Sequence, residues 1–150
     1  MRQAIQLAIE NVRHGRGGPF AAVVVKGDRV IASGTNQVTT LNDPTAHAEI
    51  LAIREACAEL ESFQLDGCDI YTTCEPCPMC LGAIYWSRAA RVFFGAGARD
   101  AAAAGFDDAF IYQQISAEPA DRLIPFVQAM REESLAVFRV WQRKPDRVDY

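Results

Sequence analysis

Hydrophobic and polar residues along the chain change from helical to strand-like spacing and back. Apolar side chains at helical spacing predict an opening helix over residues 3–13, and a glycine-rich stretch at 14–19 breaks the chain after it. Short apolar runs predict five strands, at 20–25, 30–33, 69–73, 91–95 and 123–127. Further helices are predicted at 44–60, 76–88 and 132–142, with one alanine-rich helical turn at 100–104.

The order of these elements predicts the fold class. Gly27 and Asp28 are typical of a hairpin turn, so the first two strands are expected to be antiparallel. Elsewhere strands alternate with helices, which favours a mostly parallel five-stranded sheet covered on both faces, a three-layer α/β/α sandwich. Asp43 and Pro44 are typical of an N-cap and a first helical residue, so the second helix is expected to begin there. A chain of 150 residues suits a single domain.

Charge and cysteine content restrict the class of partner and the compartment. The chain has 15 basic and 19 acidic residues, a formal charge of −4, and no long basic stripe, so nucleic acid is not an expected partner. Residues 1–12 lack the features of a secretory leader, and no apolar run is long enough to span a membrane. The five cysteines are an odd number, and three of them are too closely spaced for a secreted disulfide framework. We therefore expect a cytoplasmic protein.

Two short strings carry the candidate chemistry, His47-Ala48-Glu49 and Pro76-Cys77-Pro78-Met79-Cys80. His47, Cys77 and Cys80 would be three zinc ligands, which leaves the fourth tetrahedral position open for water, as in catalytic zinc sites. Both cysteines are expected in the first turn of a helix, where the helix dipole stabilises thiolates. Two thiolates cancel the charge of Zn²⁺, so a carboxylate that is not a ligand is needed to move protons. Glu49 suits that role.

Some alternatives remain open from the residues themselves. His47 and Glu49 are two residues apart, which on a regular helix points them to opposite sides. They converge only if the metal lies beyond the helix end or the first turn is irregular. Cys74 could complete a closed structural Cys₃His site, and the Pro-Cys-x-x-Cys string alone could be a redox dithiol or half of a structural zinc site. A non-catalytic zinc-binding interaction domain would keep the ligands without needing Glu49.

The two strings together match the signature of zinc-dependent nucleobase deaminases, which belong to the cytidine deaminase superfamily. A wider set of segments resembles the bacterial guanine deaminases within it. These segments are Gly-Pro-Phe at 18–20, Asn-Asp-Pro-Thr-Ala-His-Ala-Glu at 42–49, the run from Thr73 to Trp86, Ala-Gly-Phe-Asp-Asp-Ala-Phe-Ile-Tyr at 104–112, and the terminal Tyr150. The resemblance covers nearly the whole chain.

This resemblance implies a substrate, an assembly and further site residues. It implies hydrolysis of guanine to xanthine and ammonia by a homodimer with one zinc ion per subunit, in which a C-terminal segment (about 131–150) is exchanged between subunits. Asn36 would bond the purine, Phe20 and Trp86 would help to line the pocket, and Asp108 and Tyr150 would close it. Asp108 would also assist proton transfer to the leaving amine.

Simpler structural roles compete with these site assignments. Phe20 and Trp86 could be plain core residues, Asn36 a turn residue at a strand end, and Tyr150 a frayed end. Asp107 is expected to be a solvated neighbour of Asp108. The nearest rival activity is tRNA adenosine deamination, which shares both zinc strings, and a cytosine or cytidine deaminase would use the same zinc chemistry.

Overall fold

The computed structural model describes residues 1–106 and 108–150. Asp107, which was expected to be a solvated neighbour of Asp108, lies outside the described residues. The chain divides into two compact units, Met1–Asp108 and Ala109–Tyr150, and each is described by itself. The expectation that residues 1–150 form one domain stays a prediction.

The first unit contains four strands and five helices among its described residues. The strands are β1 (Ala21–Lys26), β2 (Arg29–Thr35), β3 (Cys68–Cys74) and β4 (Arg91–Ala96). The helices are α1 (Arg2–Arg13), α2 (Val38–Leu41), α3 (Ala48–Glu59), α4 (Pro78–Ser87) and α5 (Ala98–Ala103). The short helix α2 was not predicted.

The sheet has the strand order β2-β1-β3-β4. The predicted hairpin is confirmed, because β1 is antiparallel to β2. However, β1 is also antiparallel to β3, and only the pair β3 and β4 is parallel, so the prediction of a mostly parallel sheet is wrong for the described strands. The reason is topological. The connection through α3 makes β3 run in the same direction as β2, as expected, but β1 lies between them.

Helices cover both faces of this sheet, which confirms the mixed α/β class. Ala22, Val24 and Ile70 point to one face, where they form the core with residues of α3 and α4 that include Ala52 and Ile84. Helix α1 lies on the other face. Its buried residues are Ala4, Ala8 and Asn11, and its side chains border a groove together with Thr73 of β3.

The starts of α3 and α4 differ from the predictions. Asp43 is not an N-cap: its Oδ1 accepts hydrogen bonds from the amide and the hydroxyl of Thr45, at 2.8 and 2.7 Å, and so closes a local turn. Helix α3 begins only at Ala48, and α4 begins at Pro78 rather than at residue 76. Both shifts place a candidate metal ligand immediately before a helix.

The second unit contains α6 (Ala109–Ser116), a 3₁₀-helix (Pro119–Asp121) and α7 (Arg131–Arg143). Helix α7 was predicted, whereas α6 was not. Residues 123–127 form no strand here, so the described sheet has four strands rather than five. A strand needs a neighbouring edge for its backbone groups, and the amide of Leu123 bonds instead to Oε1 of Gln114 at 2.7 Å. None of the described helices has the length and apolar character needed to cross a bilayer.

Candidate functional site

The backbone around His47 explains how this residue and Glu49 converge. His47 is the N-cap of α3 and has an extended conformation, with φ −73° and ψ 153°. Glu49 lies inside the first turn of the same helix. Because His47 precedes the helical residues, helical spacing does not separate the two side chains, and the candidate metal site lies beyond the helix end.

Cys77 and Cys80 have the same arrangement at the start of α4. Cys77 is the N-cap, with φ −64° and ψ 167°, rather than a residue of the first turn. Cys80 is buried inside that turn, and Pro78 occupies the first helical position, where its missing N–H costs no hydrogen bond. Thiolates at this end of a helix are stabilised by the helix dipole.

Helices α3 and α4 bring His47, Cys77 and Cys80 together. Their ligand atoms all lie within 4.8 Å of one another. Nδ1 of His47 is 3.5 Å from Sγ of Cys77 and 3.5 Å from Sγ of Cys80. Tetrahedral zinc with ordinary Zn–N and Zn–S bonds separates nitrogen and sulfur ligands by about 3.6 Å. The three residues therefore fit zinc, with Nδ1 as the histidine ligand atom.

The electrostatics of the group also favour a cation. The neighbouring thiol of Cys80 and the ring of His47 lower the pKa of Cys77 to about 4, against the effect of burial. The pKa of Cys80 is raised, because its thiol bonds to Cys77 and is buried. The contact with Cys77 raises the pKa of His47. One thiolate is thus stable even without an ion, and a divalent cation would ionise the second.

Cys74 does not join this group. It is buried at the end of β3, where its Sγ lies 3.8 Å from the carbonyl oxygen of Gly97. Burial raises its pKa, which disfavours the thiolate that a metal needs. Among the described residues, the candidate metal cluster consists of His47, Cys77 and Cys80 alone. This arrangement does not support the closed Cys₃His alternative.

Glu49 lies beside the metal ligands with only 6% of its side chain exposed. Oε1 accepts a hydrogen bond from the hydroxyl of Thr72 at 2.7 Å, and Oε2 is 3.4 Å from Sγ of Cys80. The carboxylate is outside the set of three ligands but next to it. This is the position that a proton-transferring group requires.

A cavity of about 590 Å³ opens beside these residues. It is lined by His47, Glu49 and Cys77, by the glycine-rich loop after α1, and by the segment that follows α5. Its volume is within the usual range for small-molecule sites. The cavity and the candidate metal site therefore form one site.

Asn36 lines this cavity and is held firmly at the end of β2. Its Oδ1 accepts hydrogen bonds from the amides of Gly18 and Val38, at 3.2 and 3.4 Å. Its own carbonyl oxygen accepts a bond of 2.8 Å from the side-chain amide of Asn11. Since Oδ1 is used by the backbone, the Nδ2 group is the one that remains for a ligand. Asn36 thus offers a hydrogen-bond donor to the cavity.

Aromatic and acidic groups complete the cavity wall. Phe20 packs edge-to-face against Phe106, with ring centroids 4.9 Å apart, and both line the cavity. Asp108 also lines it and acts electrostatically on His47, whose pKa it helps to raise. Phe106 was not singled out from the sequence, although it lies within the 104–112 segment, because the contact with Phe20 joins residues far apart in the chain.

Two sequence-predicted residues lie elsewhere. Trp86 is on α4 with 63% of its side chain exposed, which does not support core packing, and the described residues that line the cavity do not include it. Tyr150 belongs to the second unit and is 69% exposed. The substrate-binding roles of both residues stay predictions.

Comparison with known proteins agrees with this geometry. Residues 1–96, which include all three candidate ligands, match the family described as the cytidine and deoxycytidylate deaminase zinc-binding region. The chain is 49% identical over 78 residues to the tRNA-specific adenosine deaminase of Aquifex aeolicus (strain VF5), but that match covers only 52% of each protein.

Matches to guanine deaminases extend further along the chain. The guanine deaminase of Bacillus subtilis (strain 168) is 53% identical over 150 residues, 100% of this chain and 96% of that protein. The X-ray structure of guanine deaminase from Bacillus subtilis has a TM-score of 0.97 and covers 99% of this chain and 95% of its own. The guanine deaminase from Nitrosomonas europaea has a TM-score of 0.67 at 36% identity, over 79% of this chain and 65% of its own. The chain therefore belongs to the zinc-dependent cytidine and deoxycytidylate deaminase family, with a bacterial guanine deaminase as a full-length relative.

Proposed function

We propose that this chain catalyses the hydrolytic deamination of guanine to xanthine and ammonia with one zinc ion per subunit. The observation that carries the proposal is the full-length match to a guanine deaminase, at 53% identity and with a TM-score of 0.97 for the solved structure. Matches to tRNA adenosine deaminases cover about half of the chain (52% for the one from Aquifex aeolicus). The match to this tRNA adenosine deaminase therefore accounts for a smaller share of the chain than the match to the guanine deaminase does.

The positions of the site residues support the roles that we propose for them. His47, Cys77 and Cys80 would hold zinc, which supplies Lewis acidity that makes water a nucleophile near neutral pH. Glu49 accepts a proton from the attacking water as the new bond forms at C2 of guanine. Glu49 then donates that proton to the neighbouring ring nitrogen, so the tetrahedral intermediate carries no extra negative charge. A second proton then moves from the new hydroxyl group to the 2-amino nitrogen, the bond from C2 to that nitrogen breaks, ammonia leaves, and the C2 carbonyl of xanthine forms.

The cavity suits a flat purine base with hydrogen-bond acceptors. Asn36 offers its Nδ2 donor, and guanine carries acceptors at O6 and N7 as well as on its ring N3. Phe20 provides an apolar wall. Asp108, which lines the cavity and acts on His47, assists proton transfer to the leaving amine.

We further propose a homodimer that exchanges C-terminal segments, with Trp86 and Tyr150 completing each site. Apolar side chains of the second unit are strongly exposed, among them Leu123 at 74%, Ile124 at 72% and Val127 at 84%. Within the described sheet, β4 is an edge strand, and its Phe94 is 51% exposed. Exposed apolar segments and open strand edges are both features of surfaces that a second chain covers. A partner's 123–127 segment added to β4 would also supply the fifth strand.

The cysteines support a cytoplasmic location. All five are free thiols, and Cys68, Cys74 and Cys80 are buried. Free thiols in this number persist in compartments that are kept reducing.

Ammonia release from a panel of substrates tests the activity. We expect guanine to be deaminated well ahead of cytosine, adenine and adenosine within a tRNA anticodon loop, compared at matched subsaturating concentrations. Faster turnover of cytosine or of tRNA than of guanine would contradict the proposal. A zinc-loaded protein that deaminates none of them would favour a zinc-binding interaction domain instead.

A further inference from the structure

Strand β3 places one buried hydroxyl directly against the candidate proton shuttle. Thr72 is fully buried, and its hydroxyl donates to Oε1 of Glu49 at 2.7 Å. Thr72 pairs with Ala22 of β1 on one side and with Phe94 of β4 on the other, so its backbone is held by the interior of the sheet. The sheet thereby fixes the position of this hydroxyl.

The side chains of Thr72 and Glu49 differ in flexibility, which makes Thr72 suited to orient the Glu49 carboxylate. A threonine side chain is stiff, because branching at Cβ restricts χ1. Glu49 has several rotatable bonds and would otherwise sample different carboxylate positions. The single proton of the Thr72 hydroxyl is given to Oε1, which leaves Oε2 on the side of the metal ligands, 3.4 Å from Sγ of Cys80. Oε1 of Glu49 is thus held by Thr72, while Oε2 lies on the side of the candidate metal site.

We propose that Thr72 is a positioning residue that holds Oε1 of Glu49, so that Oε2 is presented to the substrate and the attacking water. The inference rests on the proposed function, because it assigns the second carboxylate oxygen to proton transfer. Thr72 is not among the described residues that line the cavity, nor is it one of the three candidate metal ligands. Its effect therefore passes through Glu49 alone, and it should alter turnover rather than zinc content or binding of the base.

Removal of the hydroxyl at constant shape tests this proposal. In Thr72→Val we expect kcat for guanine to fall about 10- to 100-fold, the effect of one lost hydrogen bond to a charged group. KM and the affinity for the product xanthine should stay within about threefold of the wild type, because substrate contacts are unchanged. Thr72→Ser keeps the hydroxyl and should recover most of the lost kcat.

Thr73→Val is a matched control on the same strand. The Thr73 hydroxyl accepts a hydrogen bond of 3.1 Å from the amide of Ala21, and Thr73 borders the groove beside α1 rather than the cavity. This variant also loses one hydroxyl but should keep its kcat. Zinc content and melting temperature are measured for every variant. If Thr72→Val does not fold, Thr72→Ala replaces it with the same expectations.

The outcomes separate this proposal from the proposed function. A wild-type protein that releases no ammonia from guanine contradicts the function itself. Active wild type with an unchanged kcat in the hydroxyl-free variant overturns the positioning role. A fall in kcat that is matched by loss of zinc, or that serine does not reverse, also overturns it, because Thr72 would then be structural. A fall in kcat alone, reversed by serine and absent in Thr73→Val, supports it.

Discussion

At the scale of single residues, the candidate site depends on the difference between an N-cap and a first helical turn. His47 and Cys77 are both N-caps with extended backbones, whereas Glu49 and Cys80 lie in the first turns that follow. An N-cap side chain can turn back across the helix end, where the free N–H groups favour anionic ligands. Two helix starts that face each other can therefore collect ligands from sequence positions 30 residues apart.

The division of roles between ligands and proton shuttle leads to a direct prediction. Glu49→Gln should abolish deamination, because an amide cannot accept and return the proton. It should retain about one zinc per chain, since the three ligands remain. Zinc content by elemental analysis and ammonia release are measured on the same sample.

A suitable control is Glu55→Gln, which removes a carboxylate from the exposed side of the same helix. It should keep both zinc and activity. Loss of zinc together with activity in Glu49→Gln would instead identify Glu49 as a ligand.

At the scale of elements, the site depends on how closely α3 approaches the sheet. Gly34 of β2 faces this helix, and a Cβ at that position would lie 2.3 Å from the carbonyl oxygen of Ala48 and 2.6 Å from the amide nitrogen of Ala52. Both contacts are with backbone atoms, which cannot rotate away. The absent side chain of Gly34 thus allows α3, with Glu49 in its first turn, to reach its position.

We expect Gly34→Ala to lower the free energy of unfolding by about 1–3 kcal/mol, the usual cost of forcing extra volume into a packed interior. The zinc content should also fall, because α3, which follows the ligand His47, must move away from β2. Chemical denaturation and zinc content measure the two effects.

Gly82→Ala is the matched control, since a Cβ at this exposed helical position meets nothing within 4 Å. It should leave stability unchanged or raise it by up to about 1 kcal/mol, because alanine favours helix. Equal stability of the two variants would mean that α3 does not depend on Gly34.

At the scale of the whole molecule, the exposed apolar side chains of the second unit bear on whether the protein is a dimer. Its helix α7 exposes Val137 at 68%, Phe138 at 62% and Val140 at 71%, a pattern more typical of an interface than of a solvent-facing helix. The segment after α7 is polar and contains Pro145, but it also contains the aromatic Tyr150. An aromatic side chain with a hydroxyl suits the mouth of a site that binds a flat base.

Complementation between two inactive chains tests whether the tail acts in the partner's site. One chain carries Glu49→Ala and keeps its tail, and the other keeps Glu49 but is truncated before Arg143. Each homodimer should be inactive. The mixed dimer, purified with two different affinity tags, should regain activity in one of its two sites, because the intact tail then meets the intact glutamate.

Two results would contradict this prediction. A mixed dimer that is folded and zinc-loaded but inactive would mean that the tail serves its own chain. A truncated homodimer with full activity would mean that the tail serves neither site.

Local sequence signals were sufficient for most elements and for the chemistry of the ligands. Helical spacing in α1 and α7, the hairpin residues Gly27 and Asp28, and the apolar runs of β1 to β4 each depend on neighbours in the chain. The His47-Ala48-Glu49 and Pro76-to-Cys80 strings likewise contain the residue types and the spacing that a zinc ion requires. The spacing within each element and within each zinc string involves only a few residues, so the sequence determines it without reference to the rest of the fold.

Contacts between distant segments were decided by the tertiary structure. Three features are of this kind: the antiparallel pairing of β1 with β3, the start of α3 at Ala48 in place of Asp43, and the hydrogen bond from Thr72 to Glu49. Each depends on segments that are distant in the chain, and the local sequence pattern of one segment does not indicate its contacts with the other. The direction of a strand follows from the helix that connects it to the preceding strand. Which strand becomes its neighbour in the sheet depends instead on the packing of the whole sheet. The extended backbone of His47 is set in the same way, by the place where α3 meets the sheet rather than by the propensity of histidine.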